Sequence, residues 1–175
     1  AGQLLNNLGL DTIFIPDKPG LYAEGGEFYF CPAENILFSG QCRNSVSGME
    51  AVAEALNVSE LVIIQSHSYH LDTYFTPVLN QEGLVCVLIL CMDIISVKSA
   101  RDLNEFAAKK NIPIIDIPLE DAIGTAANPG SFAANALPLP GVLIGPNHFS
   151  DRTIDVRLAE MGVKRILTPT TQFEL

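Results

Sequence analysis

One pattern recurs three times along the chain: short apolar strands, then a helix that opens on a capping residue, then a closing strand. The repeat length is roughly 50 residues, and one such unit cannot bury its own apolar face without neighbours. The predicted units are 26–65, 83–117 and 132–168, with helices at 47–56, 99–110 and 151–161. We therefore expect residues 1–175 to form one α/β domain built from packed ββαβ repeats.

Local signals place the elements within each unit. The expected helix caps are Ser47, Ser99, and either Ser150 or Asp151, and Gly162 stands where the last helix should end. The predicted strands are 27–30, 36–38, 61–64, 84–90, 94–97, 112–117, 141–144 and 163–167. The same periodicity also fits an open α/β sheet with helices on both faces, and the pattern alone does not separate the two architectures.

The charge balance restricts the partners. Ten basic residues stand against twenty acidic ones, which gives a net charge of -10 and an isoelectric point near 4.6. Nucleic acid and anionic membrane surfaces are therefore disfavoured, and a cationic small molecule is the easier partner. The longest apolar run, 84–91, is far shorter than the roughly 20 residues that a bilayer span needs. Four cysteines without a recurring spacing, and no leader-like N-terminal segment, predict a cytoplasmic protein.

Two acidic clusters lie at predicted strand ends or turns, where a scaffold usually displays functional groups. Asp11 and Asp17 bracket a short apolar segment that is expected to be a strand, and Glu24 and Glu27 enclose two glycines. Each cluster also has a purely structural explanation, because aspartates favour turns and paired glycines favour hairpins. Residue type and spacing alone leave both explanations open.

The third cluster pairs His70 with Asp72. In an extended segment, residues two apart project from the same face, so the imidazole and the carboxylate could share one pocket. His67 and His70 are spaced as on a helix, but the local pattern favours a strand, in which they would point to opposite faces. No metal site and no cofactor are therefore expected, and both the phosphate-loop and the dinucleotide-binding motifs are absent.

Four short motifs follow one another between residues 11 and 73. They are Asp11-x-x-Phe14-x-x-Asp17, Glu24-Gly25-Gly26-Glu27, Arg43-Asn44-Ser45 and His70-Leu71-Asp72-Thr73. Together they resemble the motifs of the guanidine-modifying superfamily, the pentein fold, which includes dimethylarginine dimethylaminohydrolases, arginine deiminases and amidinotransferases. The resemblance implies an α/β propeller of ββαβ blades around a central active site. This chain would be an incomplete ring that lacks the first blade and the C-terminal end.

The resemblance also implies roles for these residues. The family converts arginine or methylated arginine to citrulline through a covalent cysteine-thiouronium intermediate. His70 would protonate the leaving amine and then activate water, and Glu24 would orient it. The implied substrate-binding residues are Asp17 and Asp72 for the guanidinium, Asp11 as a further acidic contact, Phe14 against the substrate, and Arg43 for its carboxylate.

The chain departs from the family pattern at several positions. None of its four cysteines occupies the position of the family nucleophile, which is therefore expected beyond Leu175. Glu27 stands where the family commonly has aspartate, and Pro16 where dimethylarginine hydrolases commonly have an acid. An amidinotransferase and a non-catalytic pentein that serves binding or assembly are the alternatives. A homo-oligomer is allowed by these patterns without being required.

Overall fold

The computed structural model describes residues 2–10, 12–68 and 70–168, and these ranges contain four α-helices and three separate three-stranded sheets. The helices are α1 (Gly2–Asn7), α2 (Val46–Ala55), α3 (Val97–Lys110) and α4 (Thr153–Glu160). The strands are β1 (Phe28–Cys31), β2 (Ile36–Gly40), β3 (Glu60–Ile64), β4 (Phe75–Leu79), β5 (Val85–Leu90), β6 (Ile114–Asp116), β7 (Leu137–Leu139), β8 (Val142–Gly145) and β9 (Lys164–Leu167). None of the described helices is both long enough and apolar enough to span a bilayer.

All three units share one topology. In the first, β1 and β2 form an antiparallel hairpin, and β2 then pairs in parallel with β3 across the crossover helix α2. The strands β4–β6 repeat this arrangement around α3, and β7–β9 repeat it around α4. Because the sheets are separate, the chain is built from ββαβ units and is not one open sheet.

The second unit begins earlier than predicted. Its first strand is β4. The segment 94–97, which was expected to be a strand, instead runs from the end of a short 3-10 turn, Met92–Ile94, to the start of α3. Pro77 lies in the middle of β4 and weakens the strand signal in the sequence. The strand tolerates this proline because β4 is an edge strand of its sheet.

The helix starts are shifted from the predicted caps. Ser45, rather than Ser47, caps α2 by accepting a hydrogen bond from the backbone N–H of residue 48 at 3.0 Å. Ser96, rather than Ser99, caps α3 in the same way. Gly162 follows α4 with a φ of 75°, as expected for a residue that ends a helix.

One core joins the units. Phe38 of β2 packs on Phe75 of β4 with ring centroids 5.1 Å apart, and on Phe106 of α3 at 5.5 Å. Polar contacts also cross between units: the Tyr29 hydroxyl of β1 donates to the Ala136 carbonyl at 3.1 Å. These contacts fix the positions of the three units relative to one another, and with them the segments that surround the candidate site.

Candidate active site

Three segments converge at one end of the first unit: the turn 24–27 before β1, the loop 41–44 after β2, and the turn 70–72 before β4. At their meeting point, Nε2 of His70 lies 2.9 Å from Oε2 of Glu24. Because an ionised carboxylate can only accept, Nε2 carries the hydrogen in this contact. The His70 side chain is 24% exposed and that of Glu24 is 41% exposed, so the pair is oriented and still open to solvent.

Glu24 is also held by the loop 41–44. The Nε of Arg43 donates to both of its carboxylate oxygens, at 3.2 and 3.4 Å. The Glu24 backbone N–H donates to the side-chain carbonyl of Asn44 at 2.8 Å, and the Asn44 amide donates in turn to the Ser39 hydroxyl. Asn44 is buried. The Arg43-Asn44 motif therefore fixes both the backbone and the side chain of Glu24.

His70 and Asp72 lie over Gly26. A Cβ at position 26 would come within 2.9 Å of Nδ1 of His70 and 3.1 Å of Oδ2 of Asp72. The two side chains are adjacent as the sequence suggested, but the predicted reason is wrong. Leu71–Thr73 is a 3-10 turn and not an extended strand, so the turn and the bare Gly26 backbone place the two groups side by side.

The carboxylates of this cluster differ in their electrostatics. The hydrogen bond from His70, supported by Arg43, holds the pKa of Glu24 below its usual value. Burial raises the pKa of Asp72, although the nearby His70 opposes the rise. Oδ1 of Asp72 is buried and has no hydrogen-bond partner. A planar cation placed beside Asp72 would supply the missing donor and favour its charged form.

A hollow of about 240 Å³ opens beside Asp72. Its lining comes from the first unit, through Gly25, Phe28 and Tyr29, and from the third unit, through Asn135–Leu137. Sequence reasoning missed Tyr29 and the third-unit segment. No local signal could have found them, because only the packing of the units brings 135–137 beside Asp72. The hollow gives the polar cluster an adjoining space with aromatic and apolar walls.

The structure brings together Glu24, Arg43, His70 and Asp72 and does not bring Phe14 to them. Phe14 lies in an irregular segment, is 75% exposed, and lines a separate hollow against α2. Asp17 is exposed in the same segment, which is not the strand that the sequence suggested. Asp11 lies outside the described residues. The substrate-binding roles of Asp11, Phe14 and Asp17 stay predictions.

The four cysteines are free thiols in different surroundings. Burial raises the pKa of Cys31 to about 12 and also raises the pKa values of Cys86 and Cys91, which disfavours the reactive thiolate. Cys42 is exposed in the loop that carries Arg43. Within residues 2–10, 12–68 and 70–168, no group of three or more His, Cys, Asp or Glu side chains is arranged to hold a metal ion.

No protein-family model matches the sequence, and no curated protein matches it. Several solved structures match it. The N-terminal domain of ArgZ, an arginine dihydrolase from the ornithine-ammonia cycle in Cyanobacteria, matches with 27% identity and a TM-score of 0.74, over 98% of this chain and 58% of that chain. AgrE bound to L-arginine matches with 22% identity and a TM-score of 0.75, over 98% and 24%. DDAH from Pseudomonas aeruginosa, in complex with citrulline, matches with 16% identity and a TM-score of 0.60, over 89% and 52%.

The chain thus spans little more than half of the ArgZ domain, and the matched proteins extend well beyond it. ArgZ, AgrE and DDAH are all pentein proteins. Their likeness covers all three ββαβ units and the segments that carry Glu24, Arg43, His70 and Asp72. The chain therefore has the pentein fold, and its motifs around Glu24, Arg43, His70 and Asp72 resemble those of the guanidine-modifying superfamily.

Proposed function

We propose that this chain carries the acid–base and guanidinium-binding groups of a hydrolase that converts arginine or a methylated arginine to citrulline. The observation that carries the proposal is the His70–Glu24 pair beside Asp72, whose buried Oδ1 lacks a partner next to an open hollow. A guanidinium is cationic and planar and presents N–H donors, so it complements both the charge and the missing hydrogen bond of Asp72.

His70 would serve two half-reactions in turn. In the first, a cysteine thiolate attacks the guanidinium carbon, a C–S bond forms, and the C–N bond to the leaving amine breaks as His70 supplies its proton. In the second, His70 takes a proton from water and the resulting hydroxide attacks the same carbon. The C–S bond then breaks to regenerate the thiolate, and the hydroxyl proton leaves to solvent as the carbonyl of citrulline forms. Glu24 supports both steps because its charge stabilises the protonated imidazole.

The remaining groups would set substrate preference. Arg43 uses its Nε for Glu24, and a guanidinium offers further donors with which it would hold the substrate carboxylate. Asp17 and Asp11 are proposed to contribute additional negative charge, and Phe14 to contact the aliphatic stem of the substrate. The nucleophile is proposed to lie C-terminal to Leu175. A cytoplasmic location stays a prediction that rests on the cysteine usage.

The test is citrulline formation from arginine and from methylated arginines by the natural polypeptide that contains this chain. We expect turnover that is abolished when the C-terminal nucleophile is changed from Cys to Ser and is retained in Cys42→Ser. Loss of turnover in Cys42→Ser would assign the nucleophile to the loop 41–44 instead. Transfer of the amidino group to an added amine, with no citrulline formed, would replace the hydrolase by an amidinotransferase.

A further inference from the structure

A fully buried carboxylate lies beneath the candidate site and has no part in the reaction described above. Glu27 is 0% exposed and ends the short turn that begins after Glu24. Its Oε1 accepts a hydrogen bond from the backbone N–H of Arg43 at 2.9 Å. Its Oε2 is buried without a hydrogen-bond partner. A buried charge of this kind is costly, so a solely structural position would be better served by an apolar side chain.

The carboxylate of Glu27 touches all three segments of the site. It belongs to the turn 24–27, it binds the Arg43 backbone of the loop 41–44, and the backbone N–H of Leu71 interacts with it from the turn 70–72. Gly40 provides the space for it, because a Cβ there would overlap Oε2 and lie 2.8 Å from the Cδ of Glu27. The same Cβ would lie 3.0 Å from the Cβ of Leu71.

We propose that Glu27 is a positioning residue for the reaction, and this inference rests on the proposed function. Its carboxylate fixes the Arg43 backbone, so that the Arg43 side chain reaches Glu24, and fixes Leu71, which lies between His70 and Asp72. Its negative charge also interacts electrostatically with the His70 imidazole. The other titratable groups around this point are Glu24, Arg43 and Asp72, together with Tyr74, on which both Glu27 and Cys42 act electrostatically.

The first test compares Glu27→Gln with Glu34→Gln in the natural polypeptide. Glu34 is a matched control, since its side chain is 14% exposed and also accepts from a backbone N–H, that of Val85 at 2.6 Å, while pairing with Lys110. We expect Glu27→Gln to lower kcat by roughly tenfold with KM little changed, because the hydrogen-bond acceptor stays and the charge is lost. Glu34→Gln should lower thermal stability without changing kcat or KM.

A pH readout separates positioning from general stability. Without the Glu27 charge and its contacts, the turn that carries His70 is held less firmly, so the NMR signals of the His70 ring should shift in Glu27→Gln and stay unchanged in Glu34→Gln. The pH profile of kcat should likewise change in Glu27→Gln only. Unchanged His70 ring signals, or a kinetic effect equal to that of Glu34→Gln, would overturn the inference. If the unaltered polypeptide forms no citrulline, the proposed function fails, and the His70 ring signals alone decide on Glu27.

A double substitution tests the space that Glu27 fills. Gly40→Ala alone should reduce kcat by about 100-fold, because its Cβ displaces the carboxylate and with it the Arg43 and Leu71 backbones. Glu27→Asp shortens the side chain and makes room for that Cβ. We expect Glu27→Asp combined with Gly40→Ala to recover much of the lost kcat. A double variant no better than Gly40→Ala would show that the carboxylate at position 27 does not hold the site in place.

Discussion

Within the described part of the chain, two histidine–carboxylate pairs have the same N–O distance, one through Nε2 of His70 and one through Nδ1 of His148, and their surroundings differ. His70 and Glu24 join two units at 2.9 Å, and His148 and Asp155 lie at the same distance within the third unit. The His148 side chain is 44% exposed, nearly twice the exposure of His70. A His–carboxylate distance therefore does not identify an active site, and the neighbouring groups must be considered.

The two pairs differ in how the nearby cation is used. Beside His148, Arg165 stacks on Phe149 at 4.5 Å and donates to the backbone carbonyls of Ala133 and Asn147, which commits it to holding loops together. Beside His70, Arg43 pairs with the exposed carboxylate of Glu24. The first arrangement fastens chain segments, whereas the second leaves charged groups at the surface next to a hollow.

Replacing each histidine in turn tests most directly whether the two pairs differ in function. His70→Asn should lower kcat for citrulline formation by about 10²- to 10⁴-fold, which is the usual contribution of a general acid–base group. His148→Asn should leave kcat unchanged. Both are measured in the natural polypeptide at saturating arginine, with thermal unfolding as a check on folding. Equal losses in the two variants would mean that the His70 pair is no more catalytic than its counterpart.

The carboxylates provide a second contrast. Asp72→Asn should raise KM for arginine by about 10- to 100-fold, since a hydrogen bond to a charged group is worth about 1.5–3 kcal/mol. Asp155→Asn should leave KM unchanged and cost stability instead, because Asp155 pairs with His148 and not with a substrate. Initial-rate measurements over a range of arginine concentrations decide between these outcomes. An Asp72→Asn enzyme with a normal KM would remove Asp72 from substrate binding.

Two neighbouring glycines, Gly25 and Gly26, provide a third contrast. Gly26→Ala should destabilise the fold by about 1–3 kcal/mol, because its Cβ would crowd His70 and Asp72. Gly25→Ala is the matched control for stability, since a Cβ there meets nothing within 4 Å. Urea denaturation of the two variants measures the difference. If both unfold at the same urea concentration, the site can relax around the added methyl group and the close packing over Gly26 is unimportant.

Local and long-range features differ in how far the sequence predicts them. The ββαβ repeats were predictable because apolar runs and capping residues act locally, and the errors arose where local signals compete: adjacent serines shifted the caps, and Pro77 masked β4. Glu24, Arg43, His70 and Asp72 could be grouped only through motifs of a known family. The contribution of 135–137 to the hollow depends on the packing of distant units, which no local pattern encodes.

The smallest expected effects are on the pH dependence of stability, and they have opposite signs on the two sides of pH 4.5. Burial raises the pKa of Glu27 above its usual 4.5, so above pH 4.5 the folded state binds more protons than the unfolded state and stability falls as the pH rises through the folded-state pKa. The pKa of Glu24 is lowered, so the stability it contributes is present above 4.5 and is lost as the pH falls through its folded-state pKa.

Each contribution can be removed separately. Glu27→Gln should flatten the plot of unfolding free energy against pH above pH 4.5, and Glu24→Gln should flatten it below that value, with urea denaturation as the measurement. His148→Asn serves as the reference variant, because it should leave the contributions of both Glu24 and Glu27 to this plot unchanged. If Glu27→Gln instead flattened the plot below pH 4.5, the Arg43 and Leu71 N–H groups would outweigh burial at Glu27. The buried carboxylate would then stabilise the fold by being charged, and its burial would not be a net cost.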